Sequence, residues 1–173
     1  VFYEDPNVLF ISVHQFPHCP GTGRMEEIGE GRGRGATVNV PLPPCTGDAG
    51  YLEVFRRLLG PIVRRFRPEV LFVSAGYDAH WRDPLSAMQL TVAGFAQLVY
   101  ELMEWADACC DNRLVAALEG GYDAETLAAS VEATVARLLD PLADIEDPIG
   151  PSPHEPTDVR DLIYELRLLH KVA

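Results

Sequence analysis

The sequence lacks the features that mark disulfide-stabilised and membrane proteins. It has only four cysteines in 173 residues, and none of them lies in a Cys-x-x-Cys spacing. Cys109 and Cys110 are adjacent, which does not suit a structural disulfide. No apolar run approaches the roughly 18 residues that a membrane span needs. We therefore expect a reducing, cytoplasmic setting.

Basic residues are also scarce. Lys and Arg number 14 against 26 Asp and Glu, a formal net charge of −12. The sequence contains no run of five or more basic residues that could follow a phosphate backbone. Direct binding to nucleic acid is therefore not expected. The arginines that do cluster interrupt an apolar helical stripe and are interpreted as a solvated helix face: Arg56, Arg57, Arg64, Arg65 and Arg67.

What the sequence contains is an alternation of strand and helix patterns. Short apolar runs predict strands at 8–14, 38–42, 70–74 and 114–118. Apolar residues spaced three and four apart predict three helices. The first covers 51–66, the second begins after an N-cap at Thr91, and the third covers 124–139. Gly60-Pro61 should kink the first of these helices. This order predicts an α/β fold whose parallel sheet has helices on its faces, with strand 70–74 covered on both faces.

Three parts are predicted along the chain: a main body at 1–143, a Pro-rich linker at 144–158 and a C-terminal helix at 159–173. Four prolines between residues 147 and 158 favour an extended segment over core. The last helix has one apolar face and needs a surface to dock against. The chain begins with Val1 and enters a strand pattern within eight residues, so we interpret it as part of a larger domain.

Polar side chains stand where the predicted strands end. Asp78 follows strand 70–74, Tyr122 follows strand 114–118, and Ser12 and His14 end the first strand. In open α/β sheets the ligand crevice lies outside the carboxyl ends of the strands. The sequence therefore predicts one site at this edge.

Four blocks carry a family resemblance: 8–23, 35–43, 74–85 and 118–123. In this order they resemble the second half of the zinc-dependent deacetylases of the arginase and histone-deacetylase superfamily. The resemblance is strongest to bacterial histone deacetylases, acetylpolyamine amidohydrolases and acetoin-utilisation proteins. It implies a three-layer α-β-α architecture with a mainly parallel sheet, of which 1–143 is the C-terminal part.

The resemblance also implies a catalytic zinc held by two aspartates and one histidine. Asp78 matches one ligand, and Tyr122 matches the residue whose hydroxyl stabilises the oxyanion of the substrate. Gly120 and Gly121 would let their loop approach the acetyl group. The family's Asp-x-His and His-His motifs do not occur in this sequence. The 173-residue chain alone is therefore expected to be inactive.

Further site residues follow from the same resemblance. Monovalent-cation sites, mostly for K⁺, would use Ser12 and Val13 at an inner position; an outer position would use carbonyl groups of Phe2, Asp5, Val8 and Ala36. Leu85 matches a wall of the acyl-lysine tunnel. Cys19 stands where an aromatic residue is usual, and this departure alters the expected shape of the tunnel.

The function predicted for the intact protein is zinc-dependent removal of an acyl group from an amine, with acetyl-lysine or an acetylpolyamine as substrate. One alternative is a non-catalytic half-domain that self-associates or pairs with an N-terminal piece. A weaker alternative is an arginase-like ureohydrolase, whose carboxylate-rich two-metal motifs are not seen here. His14 is interpreted as structural, and His80 and Asp83 as residues that shape a loop.

Overall fold

Strands and helices alternate along the chain, as the sequence predicts. The computed structural model describes residues 1–18 and 21–172. The strands in this part are β1 (Phe10–Gln15), β2 (Thr37–Leu42), β3 (Leu71–Ala75) and β4 (Leu114–Leu118). The α-helices are α1 (Asp48–Val54), α2 (Gly60–Phe66), α3 (Val92–Cys110), α4 (Ala124–Leu139) and α5 (Arg160–Leu169). The predicted α/β class is confirmed.

The described strands form two parallel pairs rather than one continuous sheet. In the first, β1 lies beside β2, from Phe10 opposite Thr37 to Gln15 opposite Leu42. In the second, β3 lies beside β4 in a register that sets Ala75 opposite Leu118. Both pairs are parallel, so each directs the carboxyl ends of its strands to one edge.

The main core lies between β2 and the surrounding helices. Val38, Val40 and Leu42 of β2 are fully buried. Helix α5 contributes Ile163 and Leu166, which pack in the same cluster as residues of α2 and α3. The C-terminal helix therefore has the docking surface that its apolar face requires.

The predicted irregularity at Gly60-Pro61 takes the form of a wider helical turn. Residues Phe55–Leu59 form a π-helical segment between α1 and α2, and the Gly60 N–H donates to Phe55 five residues earlier. Pro61 has no N–H to continue the α-helical pattern.

The predicted N-cap of α3 is confirmed, since the Thr91 side chain accepts a hydrogen bond from the Gly94 N–H.

One face of the β3–β4 pair is uncovered. Phe72 is 77% exposed and Val115, directly opposite, is 50% exposed. Only the Leu71, Val73 and Ala75 side of β3 is partly buried. The prediction that this strand is covered on both faces is wrong. A continuous apolar run shows that both faces of a strand can be buried. Whether other elements pack on both faces depends on residues elsewhere in the fold.

The Pro-rich segment lies against the body of the fold without forming a helix or strand. The Trp81 indole N–H donates to the Gly150 carbonyl at 3.0 Å. The Thr157 N–H donates to the Cys45 carbonyl at 2.9 Å. Ile145 and Ile149 pack on a small cluster between α3 and α4. The division into three parts stays a prediction.

Two buried histidines couple stability to pH. The His80 ring is fully buried and its Nε2 has no partner among the described residues. Burial lowers the pKa of His80, and Asp147 partly offsets this effect. Burial also lowers the pKa of His170, and Arg65 lowers it further.

We predict that His80 and His170 lower the free energy of unfolding as the pH drops from 7 to 5. Below about pH 6.5 the unfolded chain binds protons that the native histidines resist, so acid favours unfolding. Urea unfolding at both pH values measures the effect. In the wild type, the Arg82 N–H donates to His80 Nδ1 at 3.1 Å. The variant His80→Asn keeps an acceptor for this N–H but has no imidazole, so it should reduce the pH dependence. An equal dependence in this variant and the wild type would contradict the assignment to His80.

Candidate functional site

Two loops leave the same edge of the β3–β4 pair. The loop after β3 carries Asp78, and the loop after β4 carries Tyr122. A hydrogen bond of 2.9 Å from the Tyr77 N–H to the Gly120 carbonyl joins them directly. Strand β1 belongs to the other pair, but the Gln15 side chain at its end accepts from the Ala87 N–H at 2.8 Å. The end of β1 therefore reaches the loop that follows β3.

The Asp78 carboxylate lies in a space that two glycines leave open. A Cβ atom at Gly120 would stand 2.9 Å from the Asp78 Cγ and 3.0 Å from each carboxylate oxygen. A Cβ atom at Gly76 would stand 2.9 Å from Oδ1. Within the described ranges, no other residue donates a hydrogen bond to this carboxylate. Asp78 is thus a half-buried carboxylate that no other described residue occupies, and it is open to a cation.

The electrostatics of Asp78 disfavour its charged form. Burial raises the pKa of Asp78, and the nearby Asp83 raises it as well. The Asp78 backbone N–H and His18 lower this pKa in part. A carboxylate in such surroundings gains from a bound positive charge, and perturbed groups of this kind concentrate at functional sites.

Tyr122 has a fixed backbone and a free side chain. Its N–H donates to Asp83 Oδ2 at 2.7 Å. Its side chain is 58% exposed, and its hydroxyl has no hydrogen-bond partner in the part of the chain that the structure describes. The hydroxyl is therefore available to donate to a bound molecule.

The backbone conformation of the residue before Tyr122 requires a glycine, Gly121. Its φ is +129°, a conformation that side-chain-bearing residues rarely adopt. A Cβ atom there would also stand 2.8 Å from Leu127 Cδ1 and 3.2 Å from Tyr77 Cβ. The glycine permits close packing of the loop on α4.

Sequence analysis named Asp83 as a residue that shapes a loop, but it did not predict that Asp83 joins the two loops, and it did not single out Arg82. Asp83 binds the Tyr122 backbone, and Arg82 pairs with Asp123 at 3.3 Å and with Glu125 at 3.0 Å. The Asp83-Pro84 pair indicates a turn. A turn pattern is local, however, and does not reveal a bond to a residue 39 positions away.

The residues matched to monovalent-cation sites lie near both ends of β1. Ser12 Oγ is 2.8 Å from His14 Nδ1, and His14 Nε2 is 3.0 Å from the Gly23 carbonyl oxygen. The Phe2 carbonyl accepts from the Asp5 N–H, and the Ala36 carbonyl accepts from the Phe10 N–H. Val13 lies within β1, and Val8 precedes it. Their role in binding a cation stays a prediction.

Of the two residues matched to the tunnel, one can be placed. Leu85 is 56% exposed, and its N–H donates to Asp83 Oδ1 at 2.9 Å. Its backbone is therefore held by the same carboxylate as that of Tyr122. Cys19 lies outside the described residues.

The site provides one candidate metal ligand rather than a complete set. Asp78 fits a zinc ligand by its chemistry and by its open carboxylate oxygens. In residues 1–18 and 21–172, no three histidine, cysteine or carboxylate side chains come together in a way that could hold a metal ion. A zinc ion would need further ligands beside Asp78.

The fold places the chain among the α/β proteins with a deacetylase-type domain. It resembles the solved structure titled "Structure of the histone deacetylase Clr3" with a TM-score of 0.82 and 32% identity, over 98% of this chain and 28% of that one. It resembles the HDA15 HD domain with a TM-score of 0.80 and 28% identity, over 98% of this chain and 45% of that one. The predicted deacetylase fold is confirmed.

The particular family follows from sequence. The family model described as "Histone deacetylase domain" matches residues 1–138, and the chain belongs to this family. A probable deacetylase of Archaeoglobus fulgidus is 50% identical over 72% of this chain and 35% of its own length. The chloroplastic histone deacetylase 14 of Arabidopsis thaliana is 40% identical over 98% of this chain and 41% of its own length. The chain thus spans about two fifths of these relatives.

Across residues 1–18 and 21–172, no helix is long and apolar enough to cross a bilayer.

We predict that Asp78→Asn stabilises the fold at pH 7. The pKa of Asp78 is raised in the folded state, so the wild type loses stability as the pH rises and this group ionises. The neutral variant avoids that loss, and its advantage should disappear towards about pH 3, where Asp78 is largely protonated in both states because the pKa of an unfolded Asp is about 3.9. Thermal unfolding at pH 7 and about pH 3 measures the difference.

Asp158→Asn is the matched control with the opposite sign. Hydrogen bonds from Arg160 lower the pKa of Asp158 to about 2, so removing this charge should destabilise the fold at pH 7. An Asp78→Asn variant that is less stable than the wild type at pH 7 would contradict the environment assigned to Asp78.

Proposed function

We propose that this chain supplies part of the active site of a zinc-dependent deacetylase. The reaction is hydrolysis of an acyl-amide, with an acetyl-lysine or acetylpolyamine as the substrate class. The observation that carries the proposal is the juxtaposition of Asp78 and Tyr122, on loops that leave neighbouring parallel strands and are joined by the Tyr77–Gly120 hydrogen bond. Membership of the histone deacetylase family supports it.

In this proposal Asp78 is one zinc ligand, and the bound metal supplies Lewis-acid activation of the acyl carbonyl. Tyr122 donates its hydroxyl hydrogen to the carbonyl oxygen. This bond strengthens as negative charge develops on that oxygen, and it therefore lowers the barrier. Gly120 and Gly121 have no side chains to obstruct the acyl group, and the exposed Leu85 offers apolar contact to the alkyl chain of the substrate.

The cation sites are proposed as supports of this edge. Carbonyl and hydroxyl oxygens suit hard cations such as K⁺. Ser12 and Val13 would form part of the inner site, and Phe2, Asp5, Val8 and Ala36 would contribute carbonyl groups to the outer one. The Phe2 and Ala36 carbonyls each accept one backbone hydrogen bond, and a carbonyl oxygen has a second lone pair that a cation could use.

The remaining zinc ligands and the histidines that move protons must come from outside this sequence. We therefore propose that the 173-residue chain is inactive by itself and that activity belongs to a longer protein. A bacterial, cytoplasmic setting remains part of the proposal. The thiols of Cys45, Cys109 and Cys110 are free, which suits a reducing compartment.

We predict that Tyr122→Phe lowers kcat by about 10² to 10³ in the complete deacetylase domain that contains this chain. The loss should fall on kcat rather than KM, because the hydroxyl acts mainly in the transition state. Release of acetate from an acetyl-lysine peptide and from an acetylpolyamine measures it.

Tyr164→Phe, at an exposed position on α5, is the control and should leave kcat unchanged. Unchanged turnover in Tyr122→Phe would remove this hydroxyl from the mechanism.

A second function is favoured by the uncovered face of β3 and β4. Faces of parallel sheets are usually covered, and exposed apolar patches mark contact surfaces. We propose that, in the 173-residue chain by itself, a second copy covers Phe72 and Val115. The ureohydrolase alternative has no such supporting observation.

We predict that the chain self-associates as its concentration rises and that Phe72→Lys shifts it toward monomer. A lysine on this face would have to lose its hydration in the dimer. Sedimentation velocity over a dilution series measures the shift. Leu139→Lys, exposed at the end of α4, is the control and should associate like the wild type. A monomeric wild type at every concentration would exclude self-association.

A further inference from the structure

We propose that Asp83 is a positioning residue that sets Tyr122 and Leu85 in place for the reaction proposed above, on which this inference rests. Its carboxylate joins the backbone of the catalytic candidate to the backbone of the substrate-binding candidate. The residue itself touches neither substrate nor metal in this proposal.

Both oxygens of the Asp83 carboxylate are engaged. Oδ2 accepts from the Tyr122 N–H at 2.7 Å, and Oδ1 accepts from the Leu85 N–H at 2.9 Å. The residue is only 5% exposed. Hydrogen bonds from backbone N–H groups to a carboxylate are charge-assisted and short, and burial protects them from competition by water.

Tyr122 depends on this bond because its side chain contributes little to fixing its position. The side chain is largely exposed, and in the described part of the chain its hydroxyl has no partner. The residue before it, Gly121, is conformationally permissive. The bond to Asp83 therefore holds the backbone from which the ring projects, and Asp123 begins the cap of α4 immediately afterwards.

Asp83 is itself held by a rigid frame. Its N–H donates to the His80 carbonyl at 2.9 Å. The buried His80 ring stacks on Phe95 of α3, with ring centres 6.5 Å apart and 14° between the planes. Arg82 adds ion pairs to Asp123 and Glu125. Displacement of the Tyr122 backbone would thus have to break the bond to Asp83 or move this frame.

The role requires two acceptors at one side chain. In Asp83→Asn the amide has one acceptor oxygen, and its NH₂ group would face an N–H of Tyr122 or Leu85. One of the two bonds must therefore be lost while the size of the side chain is kept. Asp48→Asn is the matched control, because Asp48 accepts from the Thr91 N–H at 2.9 Å and holds the start of α3 without contacting Tyr122.

The first test is a double-mutant cycle in the complete deacetylase domain. Asp83→Asn should lower kcat about 10- to 100-fold, the range expected when a reacting group is displaced by about 1 Å. In a Tyr122→Phe background the same substitution should cost less than about threefold, because the hydroxyl that it positions is already gone. An equal loss in both backgrounds would overturn the proposal.

The second test reads the position of Tyr122 without activity. In the 173-residue chain, the Tyr122 amide proton should exchange slowly and show a downfield NMR shift. Both features should be diminished in Asp83→Asn, in which the Tyr122 N–H either loses its acceptor or keeps only a neutral amide oxygen, and both should be kept in Asp48→Asn. A rapidly exchanging Tyr122 amide in the wild type would overturn the proposal, even if Asp83→Asn does not fold. If the complete domain has no deacetylase activity, the proposed function is refuted. The NMR measurement of the Tyr122 amide would still test whether Asp83 positions Tyr122.

Discussion

Parallel pairing of β3 with β4 places the functional candidates together. Five residue pairs, from Leu71 opposite Leu114 to Ala75 opposite Leu118, bring the two strands to an end at the same edge. The loops that follow have little freedom, because the Tyr77 N–H binds the Gly120 carbonyl and the Tyr77 hydroxyl binds Thr134 on α4 at 2.9 Å. A shift of one residue in this register would separate Asp78 from the glycines that enclose it.

Three aspartates near this edge show how environment divides one side-chain type among different tasks. Asp78 accepts no bond from another described residue, and its pKa is raised by burial. Asp83 uses both oxygens on backbone N–H groups. Asp123 caps α4, and the hydrogen bond from the Thr126 N–H lowers its pKa. Asp78, which accepts from no other described residue, is the carboxylate suited to a cation, whereas the other two give the loops their shape.

The uncovered face of the β3–β4 pair and the incomplete ligand set would have a common explanation under the proposal that activity belongs to a longer protein. The chain spans about two fifths of the deacetylases that it resembles. Phe72 and Val115 lack a covering layer, and in the described ranges no cluster of metal-binding side chains forms around Asp78. Additional polypeptide could cover this face and supply further ligands, as the proposed function requires.

Sequence by itself determined the α/β class, the bounds of β4 and α4, the Thr91 cap and the family, because these depend on local patterns and on motifs at fixed spacings. It also located Asp78 and Tyr122 at strand ends. Only the tertiary structure decided that Phe72 is exposed, that the strands form two separate pairs, and that Asp83 binds the Tyr122 backbone. Such features depend on contacts between residues distant in the chain, and no periodicity or turn pattern encodes which distant partner a side chain will meet.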